Sequence, residues 1–421
     1  MSVFKGRSLK VEIFGASHAG SIGVTVTGLP AGEAVDITQL NEFMARRSPG
    51  KSPLQSSRRE PDEPVFLSGI TDGMTDGSVL QAVMCNTDVR REDYVNLRSI
   101  PRPGHADYTA RLKYGRDFDM SGGGPFSGRM TAPLCVIGGI SKQILSRRGI
   151  GVEAKILSIG GDSSDFEGSI DRARLDGDSV GGIIECTVSG FPAGYGGELF
   201  DGLEGLISEI VFAIPAVKGI EFGAGFRCAE MRGSECNDPF TVENGRVVTR
   251  GNDHGGILGG ISSGMPVVFR VAVKPTPSIA REQDSVDLDA MKPVKLRISG
   301  RHDPCIVPRA VPVVEAAAAI ALCDLLFAEK EPNSLSDLRT ELDRIDADIA
   351  ELFTRRMELC KGIAEYKEKN GLPTLDAKRE AGKLDSIKRL APEGTEEKLA
   401  ELYREIFRLS REYQDEIRSK T

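Results

Sequence analysis

Apolar and polar positions follow two different rhythms along the 421 residues. In the early part, β-rich runs such as VEIFGASH, GVTVTGL, GGIIECTVSGF and MPVVFRVAVK are separated by glycine turns, a pattern that predicts strands. Residues 132–148 and 311–329 read as helices. The rhythm changes after the segment EKEPN at 329–333, where Pro332 breaks the second helix. Ser334, with Asp337 three residues on, offers an N-cap for a new helix. From there Leu335, Leu338, Leu342, Ile345, Ile349 and Leu352 fall at a 3,4,3,4,3 spacing, one helical stripe that predicts packing against partners. A second helical segment follows Pro373, and a third covers 395–417 with Leu399, Leu402, Ile406, Leu409 and Tyr413 on its predicted inner face.

Glycine usage sharpens the division, because 44 of the 48 glycines precede residue 333. We therefore expect an α+β domain with many loops over 1–330, joined by a short linker to a small all-α bundle over 333–421. The 54 Lys and Arg against 62 Asp and Glu leave a net charge of -8, which argues against general nucleic-acid or membrane binding and confines any anion site to a focused cationic pocket. Eight cysteines without a CxxC pair, and four histidines, provide no zinc spacing. No metal is expected, and the thiols read as reduced in a cytoplasmic protein. The start lacks the apolar run of a signal peptide, and no stretch reads as long enough to span a bilayer.

All four histidines, His18, His105, His254 and His302, lie within two residues of a glycine, on loops able to approach a ligand. Arginines cluster in similar loops, at Arg46-Arg47, Arg58-Arg59, Arg102, Arg129 and Arg301. Flanking prolines and glycines fix these loops, which suits bidentate capture of phosphate or carboxylate. Gly122-Gly123-Gly124 and the glycines of 255–260 could present backbone N–H groups to an anion, although neither matches a Walker or Rossmann fingerprint. A Ser-His hydrolase at Ser17 and His18 is disfavoured, since adjacent strand residues face opposite ways and no nucleophile elbow is present.

In order along the chain, FGASH, ARRSPG, SRREPDEP, RPGHADYTARLKYG, GDSVGG, PAVKGIEFGAGF, GGILGGISSG, KPTPSI and GRHDPCIVPRAVPVVEA resemble the chorismate synthase family over nearly all of 1–330. The resemblance implies a chorismate synthase-like β-α-β sandwich. It also implies loss of phosphate and a ring hydrogen from 5-enolpyruvylshikimate 3-phosphate, giving chorismate, with reduced FMN and no net redox change. The resemblance further implies NADPH as a candidate flavin reductant and a homotetrameric assembly. An anti 1,4-elimination from a trianion needs cations, a proton donor for the leaving group and an electron-rich cofactor. By resemblance, His18 protonates the departing phosphate, His105 acts as acid toward the reduced flavin, and Asp303 assists at the flavin nitrogen that takes the ring proton. Ser17, Arg47 and Arg129 correspond to substrate contacts. Ser127, Ala216, Gly259, Lys274, Pro275, Thr276, Pro277, Ser278 and Arg301 correspond to FMN contacts. The chain departs from the family pattern in having GASHA for GESHG, Pro53 for an anion-binding arginine, Pro125-Phe126-Ser127 for Arg-Ser-Ser, and KPTPS for KPTSS.

In the tail, the stripe continued from Leu352 calls for an apolar residue at 356 and meets Arg356, with Lys367 and Arg339 on or beside the same face. Cations turned inward gather around an anion more readily than they stay unpaired. Arg339, Arg356, Lys367, Asp376, Arg379, Glu380, Ser410 and Gln414 match, in order, the all-helical chorismate mutase family over 333–421. That resemblance implies rearrangement of chorismate to prephenate by shape and charge alone. Arg339 and Arg356 would hold the two carboxylates, Lys367 and Gln414 would donate to the ether oxygen, and Glu380 with Asp376 would engage the ring hydroxyl side. Arg379 and Ser410 complete the substrate contacts, and an intertwined dimer is implied, with tails pairing inside the tetramer. The competing reading is a synthase whose tail is a non-catalytic regulatory or oligomerisation module.

Overall fold

In the computed structural model, which describes residues 2–50, 60–87, 99–298, 303–328, 335–392 and 394–419, the β-rich runs form two antiparallel sheets. The first holds β1 (Ser2–Lys5), β2 (Lys10–Gly15), β3 (Ser21–Thr27), β4 (Val65–Ser68) and β5 (Leu80–Cys85) in the order β1-β2-β3-β5-β4. The second holds β6 (Gly151–Ile159), β7 (Gly182–Ser189), β8 (Val217–Phe222) and β9 (Val267–Val273) in the order β8-β9-β7-β6. Alternate residues fill the core, Ile22, Val24 and Val26 from β3 and Val267, Phe269 and Val271 from β9.

Helices occupy the space between the sheets. α1 (Ile37–Arg47) lies against α3 (Thr131–Arg147) and α5 (Val307–Ala328); α3 also meets the first sheet, while α5 meets the second. The result is the expected β-α-β sandwich. The helix α4 (Leu203–Phe212) covers α5 and β8, and α2 (Asp107–Tyr114) belongs to the site described below. α5 corrects one sequence expectation, because its 22 residues are long and apolar enough to cross a bilayer. Its most apolar window is 89% buried, however, so the helix is apolar all round because protein surrounds it. Close approach is built into α3 at adjacent glycines. A Cβ on Gly138 would lie 2.2 Å from Ala316 Cβ, and one on Gly139 would lie 2.5 Å from Leu40 Cδ1.

The chain divides into two compact units, Met1–Glu331 and Pro332–Thr421. The second contains α6 (Leu335–Lys369), α7 (Ala377–Lys388), capped by Asp376, and α8 (Glu396–Arg418), which packs on both. The proposed cap Ser334 and the linker 329–333 lie outside the described residues. Leu338, Leu342, Ile345, Ile349 and Leu352 are exposed, so these described positions of the stripe are left largely uncovered by their own unit. The inner face of α8 agrees with expectation only in part. It buries the expected site residues Ser410 and Gln414 together with Ala400 and Phe407, and leaves Leu402 exposed.

Candidate active sites

The turn after β2 carries Ser17 and His18, both buried. Asn86 fixes it by donating to the carbonyls of Ala16 and Ala19 at 3.2 and 2.8 Å, and Ser17 N–H donates to Gly124 O at 3.2 Å. Opposite stand Gly122, Gly123 and Gly124, all at positive φ. A Cβ on Gly122 would lie 2.5 Å from His18 Nε2 and 2.9 Å from Ser17 Oγ; one on Gly123 would lie 3.3 Å from His105 Nε2. Three successive glycines thus leave room for two histidines on one loop.

His105 is oriented from behind. Its Nδ1–H donates to Asp107 Oδ1 at 2.7 Å. The same buried carboxylate accepts from Arg102 N at 3.0 Å, Nε at 2.7 Å and Nη2 at 2.8 Å. Arg102 Nη2 also lies 3.1 Å from His105 Nδ1. Both groups donate to one oxygen, so this proximity is a consequence of sharing Asp107 rather than a bond of its own. Burial opposes ionisation of Asp107, but the hydrogen bonds from Arg102 and His105 outweigh it and hold the carboxyl well below the usual range. Arg102 Nη1 continues to Ser278 Oγ at 3.2 Å, and Lys274 Nζ donates to Gly104 O at 2.8 Å. The histidine loop and the 274–278 segment are therefore one tied structure. Burial, reinforced by the charge of Lys218, lowers the Lys274 pKa.

A second polar layer is formed by Arg47 and Arg129, both buried. Arg47 pairs with Asp62 at 3.4 Å, and Arg129 bonds Asp62, reaches Asn86 Oδ1 at 2.9 Å and lies 3.9 Å from Glu60. Asp303 pairs with Arg309, whose Nε donates to Arg47 O at 2.9 Å. One cavity of ≈ 850 Å³ is lined by His18, His105, Asp303, Arg47 and Arg129 together with Ser127, Ala216, Lys274, Thr276, Pro277 and Ser278. Its described charged lining comprises the cations Arg47, Arg102, Arg129, Lys218, Lys274 and Arg309 against the carboxylates Glu60 and Asp303. The excess is positive although the whole chain is negative.

Some sequence candidates lie elsewhere. Ser17 stands beside His18 without lining the cavity, and neither Pro275 nor Gly259 lines it. Gly259 and Gly260, both at positive φ, make the two-residue turn between Ile257–Leu258 and Ile261–Ser262. The glycines of 255–260 serve backbone packing, since a Cβ on Gly256 would lie 2.4 Å from Pro266 O. His254 bonds Asp238 at 2.9 Å away from the cavity. Arg58, Arg59, Arg301, His302 and Pro53 lie outside the described residues. Sequence reasoning did not single out Asp107, Glu60, Asp62 or Arg309. The His105-Ala-Asp107 spacing was the available signal for the first.

In the second unit, Arg356 bonds Ser410 Oγ and its guanidinium lies 5.9 Å from the Phe407 ring centroid. Lys367 Nζ donates to Thr374 O at 2.6 Å and to Gln414 Oε1 at 3.4 Å. Glu380 accepts from Arg411 Nη1 through both oxygens, at 2.6 and 2.5 Å. Asp376, exposed, caps α7 by accepting from Arg379 N at 3.0 Å; Arg379 and Arg339 are also exposed. Arg356, Lys367, Glu380, Ser410 and Gln414 are thus brought to one side of α8, while Arg339 stands about 25 Å from Arg356 along α6, at about 1.5 Å per residue.

The chorismate synthase family model matches residues 9–327, and the chorismate mutase type II model matches 338–415. The chorismate synthase of Korarchaeum cryptofilum is 43% identical over 345 residues, covering 76% of this chain and 96% of the relative. That of Thermococcus gammatolerans is 45% identical over 349 residues, covering 77% and 98%. A crystal structure of chorismate synthase shares the fold with a TM-score of 0.62 at 24% identity, covering 82% of this chain and 99% of that one. With both site geometries in view, the chain belongs to the chorismate synthase family, whose members are lyases, and carries a chorismate mutase type II domain, an isomerase, at its C-terminal end.

Proposed function

We propose that the chain is bifunctional, forming chorismate from 5-enolpyruvylshikimate 3-phosphate with reduced FMN and then rearranging it to prephenate. The observation that carries the first half is the meeting of His18 and His105 at one glycine loop, in a cationic cavity that Asp303 also lines. Such a lining suits a substrate with one phosphate and two carboxylates.

The residues present fit a flavin phosphate. The buried Thr276 hydroxyl lacks a partner among the described residues, and the Lys274 ammonium and Ser278 hydroxyl flank it along the same cavity wall. Phe126, Phe212 and Ile214 add apolar surface for a ring system. When bound, reduced FMN would supply electron density for the elimination without net redox change. His18 gives the departing phosphate its proton, while Arg47 and Arg129, fixed by Glu60 and Asp62, hold the substrate anions without reorganising. His105 commits its Nδ1 proton to Asp107, which leaves Nε2 to exchange a proton on the cavity side. The Asp303 carboxylate, held by Arg309, assists at the proton given up by the ring.

The mutase half needs only positioned charge. Arg356 holds a carboxylate, Lys367 and Gln414 converge where an ether oxygen gathers charge as its bond breaks, and Glu380 receives the ring hydroxyl. Arg339 is too far from Arg356 to share its site within one chain, and the exposed stripe of α6 surrounds it with apolar surface. Both features support an intertwined pair of tails; the homotetramer rests on the resemblance to the synthase family. The eight free thiols fit a reducing cytoplasm.

The test is anaerobic incubation of the whole chain with the phosphorylated substrate and reduced FMN, following both products. Chorismate should appear first and decay as prephenate grows. Absence of chorismate overturns the synthase reading; accumulation of chorismate without prephenate makes the tail a non-catalytic module. Light scattering that finds monomers defeats the assembly.

A further inference from the structure

Two arginines of α8 lie one turn apart and behave differently. Arg408 pairs with Glu405 and Glu412 on its own helix, all of them exposed to water. Arg411 instead crosses to α7, where its Nη1 donates to both oxygens of Glu380, and the two side chains are only 31% and 29% exposed. Arg411 follows Ser410, the partner of Arg356, and precedes by one turn Gln414, the partner of Lys367. Three cross-helix polar contacts therefore leave α8 within five residues, and the outer two engage groups assigned to the rearrangement.

Resting on the mutase reading, we propose that Arg411 is a positioning residue for that reaction. It holds the Glu380 carboxylate in one orientation so that it meets the ring hydroxyl of chorismate. A Glu side chain alone has three rotatable bonds and would sample several directions. A guanidinium directed at both oxygens fixes the carboxylate plane and still leaves each oxygen lone pairs with which to accept from a hydroxyl. Orientation of this kind affects the rate only for a substrate that carries the hydroxyl.

That condition supplies the test, made on the full chain with chorismate and with a chorismate analogue whose ring hydroxyl is replaced by hydrogen. R411M should lower kcat/KM for chorismate on the order of 10- to 100-fold, and R411K should recover part of the loss. With the analogue, wild type and R411M should agree within about threefold, and E380Q/R411M should be no slower on chorismate than E380Q alone. If R411M does not fold, the comparison of R411K across the two substrates replaces it. Equal losses on both substrates, or additive losses in the double variant, overturn the proposal and make Arg411 a tie between helices. A wild-type chain that makes no prephenate removes the mutase reading and the proposal with it. A wild-type chain that does so while R411M matches it on chorismate removes the proposal alone.

Discussion

Asp107→Asn tests whether His105 works as the geometry indicates. The wild-type carboxylate takes four hydrogen bonds, three from Arg102 and one from His105 Nδ1, at 2.7 to 3.0 Å. An asparagine keeps one accepting oxygen and turns an NH2 toward donors, so at least one close donor pair faces another donor. Arg102, itself buried, loses its charged partner. Removing one member of a buried pair costs roughly 3–5 kcal/mol when nothing replaces it, and part of that will appear as lower stability. The larger kinetic effect comes through the ring. Without Asp107 the imidazole can rotate or hold its proton on the nitrogen facing the cavity, and loss of a general acid or base costs on the order of 10²- to 10⁴-fold. Anaerobic turnover with reduced FMN should therefore show kcat down by that factor with KM changed by less than about threefold. In a His105→Ala background, Asp107→Asn should add almost nothing, because both substitutions remove the same group. A folded D107N chain turning over within about threefold of wild type would refute the dyad, as would an additive loss in the double variant.

Asp324, fully buried on α5, accepts from the N–H groups of Arg7, Ser8 and Leu9 at 2.8, 2.9 and 2.7 Å. Asp324→Ala should lower unfolding stability by roughly 3–5 kcal/mol in urea melts, and a loss below about 1 kcal/mol would contradict the assignment. Gly138→Ala should destabilise by about 1–3 kcal/mol through collision with Ala316, whereas Gly205→Ala in α4, with nothing within 4 Å, should be neutral or stabilise by up to about 1 kcal/mol. Glu315 is buried between Arg46 and Lys142; burial alone would raise its pKa, but the Arg46 hydrogen bond and the neighbouring positive charges bring it below 4.5. A lowered folded pKa stabilises above the unfolded value and loses that contribution as pH falls through the folded one. The difference in Tm between wild type and Glu315→Gln should therefore be largest near neutrality and shrink below about pH 4.5, and a difference constant down to pH 3 would oppose this account.

What the sequence made legible divides along a physical line. Local periodicity was sufficient for α3, α5 and the tail helices, because helix formation and burial of an apolar face are both written in spacings of a few residues. The same reasoning assigned α6 an apolar stripe and left its partner open, as the structure of one unit also does. The loops were legible as loops. That Gly122 makes room for His18 while Gly123 adjoins His105 was not, since it joins segments about 100 and 18 residues apart through tertiary packing. Glu60 and Asp62, on either side of Pro61, were not singled out, yet they fix the two arginines expected to hold substrate. The inner face of α8 makes the general point. The apolar count alone selects Leu402, which is exposed, whereas Ser410 and Gln414, already legible as site residues, are buried where a structural bundle would place leucines. A helix whose buried positions carry polar side chains in place of apolar ones is therefore where chemistry should be sought first, and Arg411, beside Ser410 and bonded to Glu380, lies on such a helix.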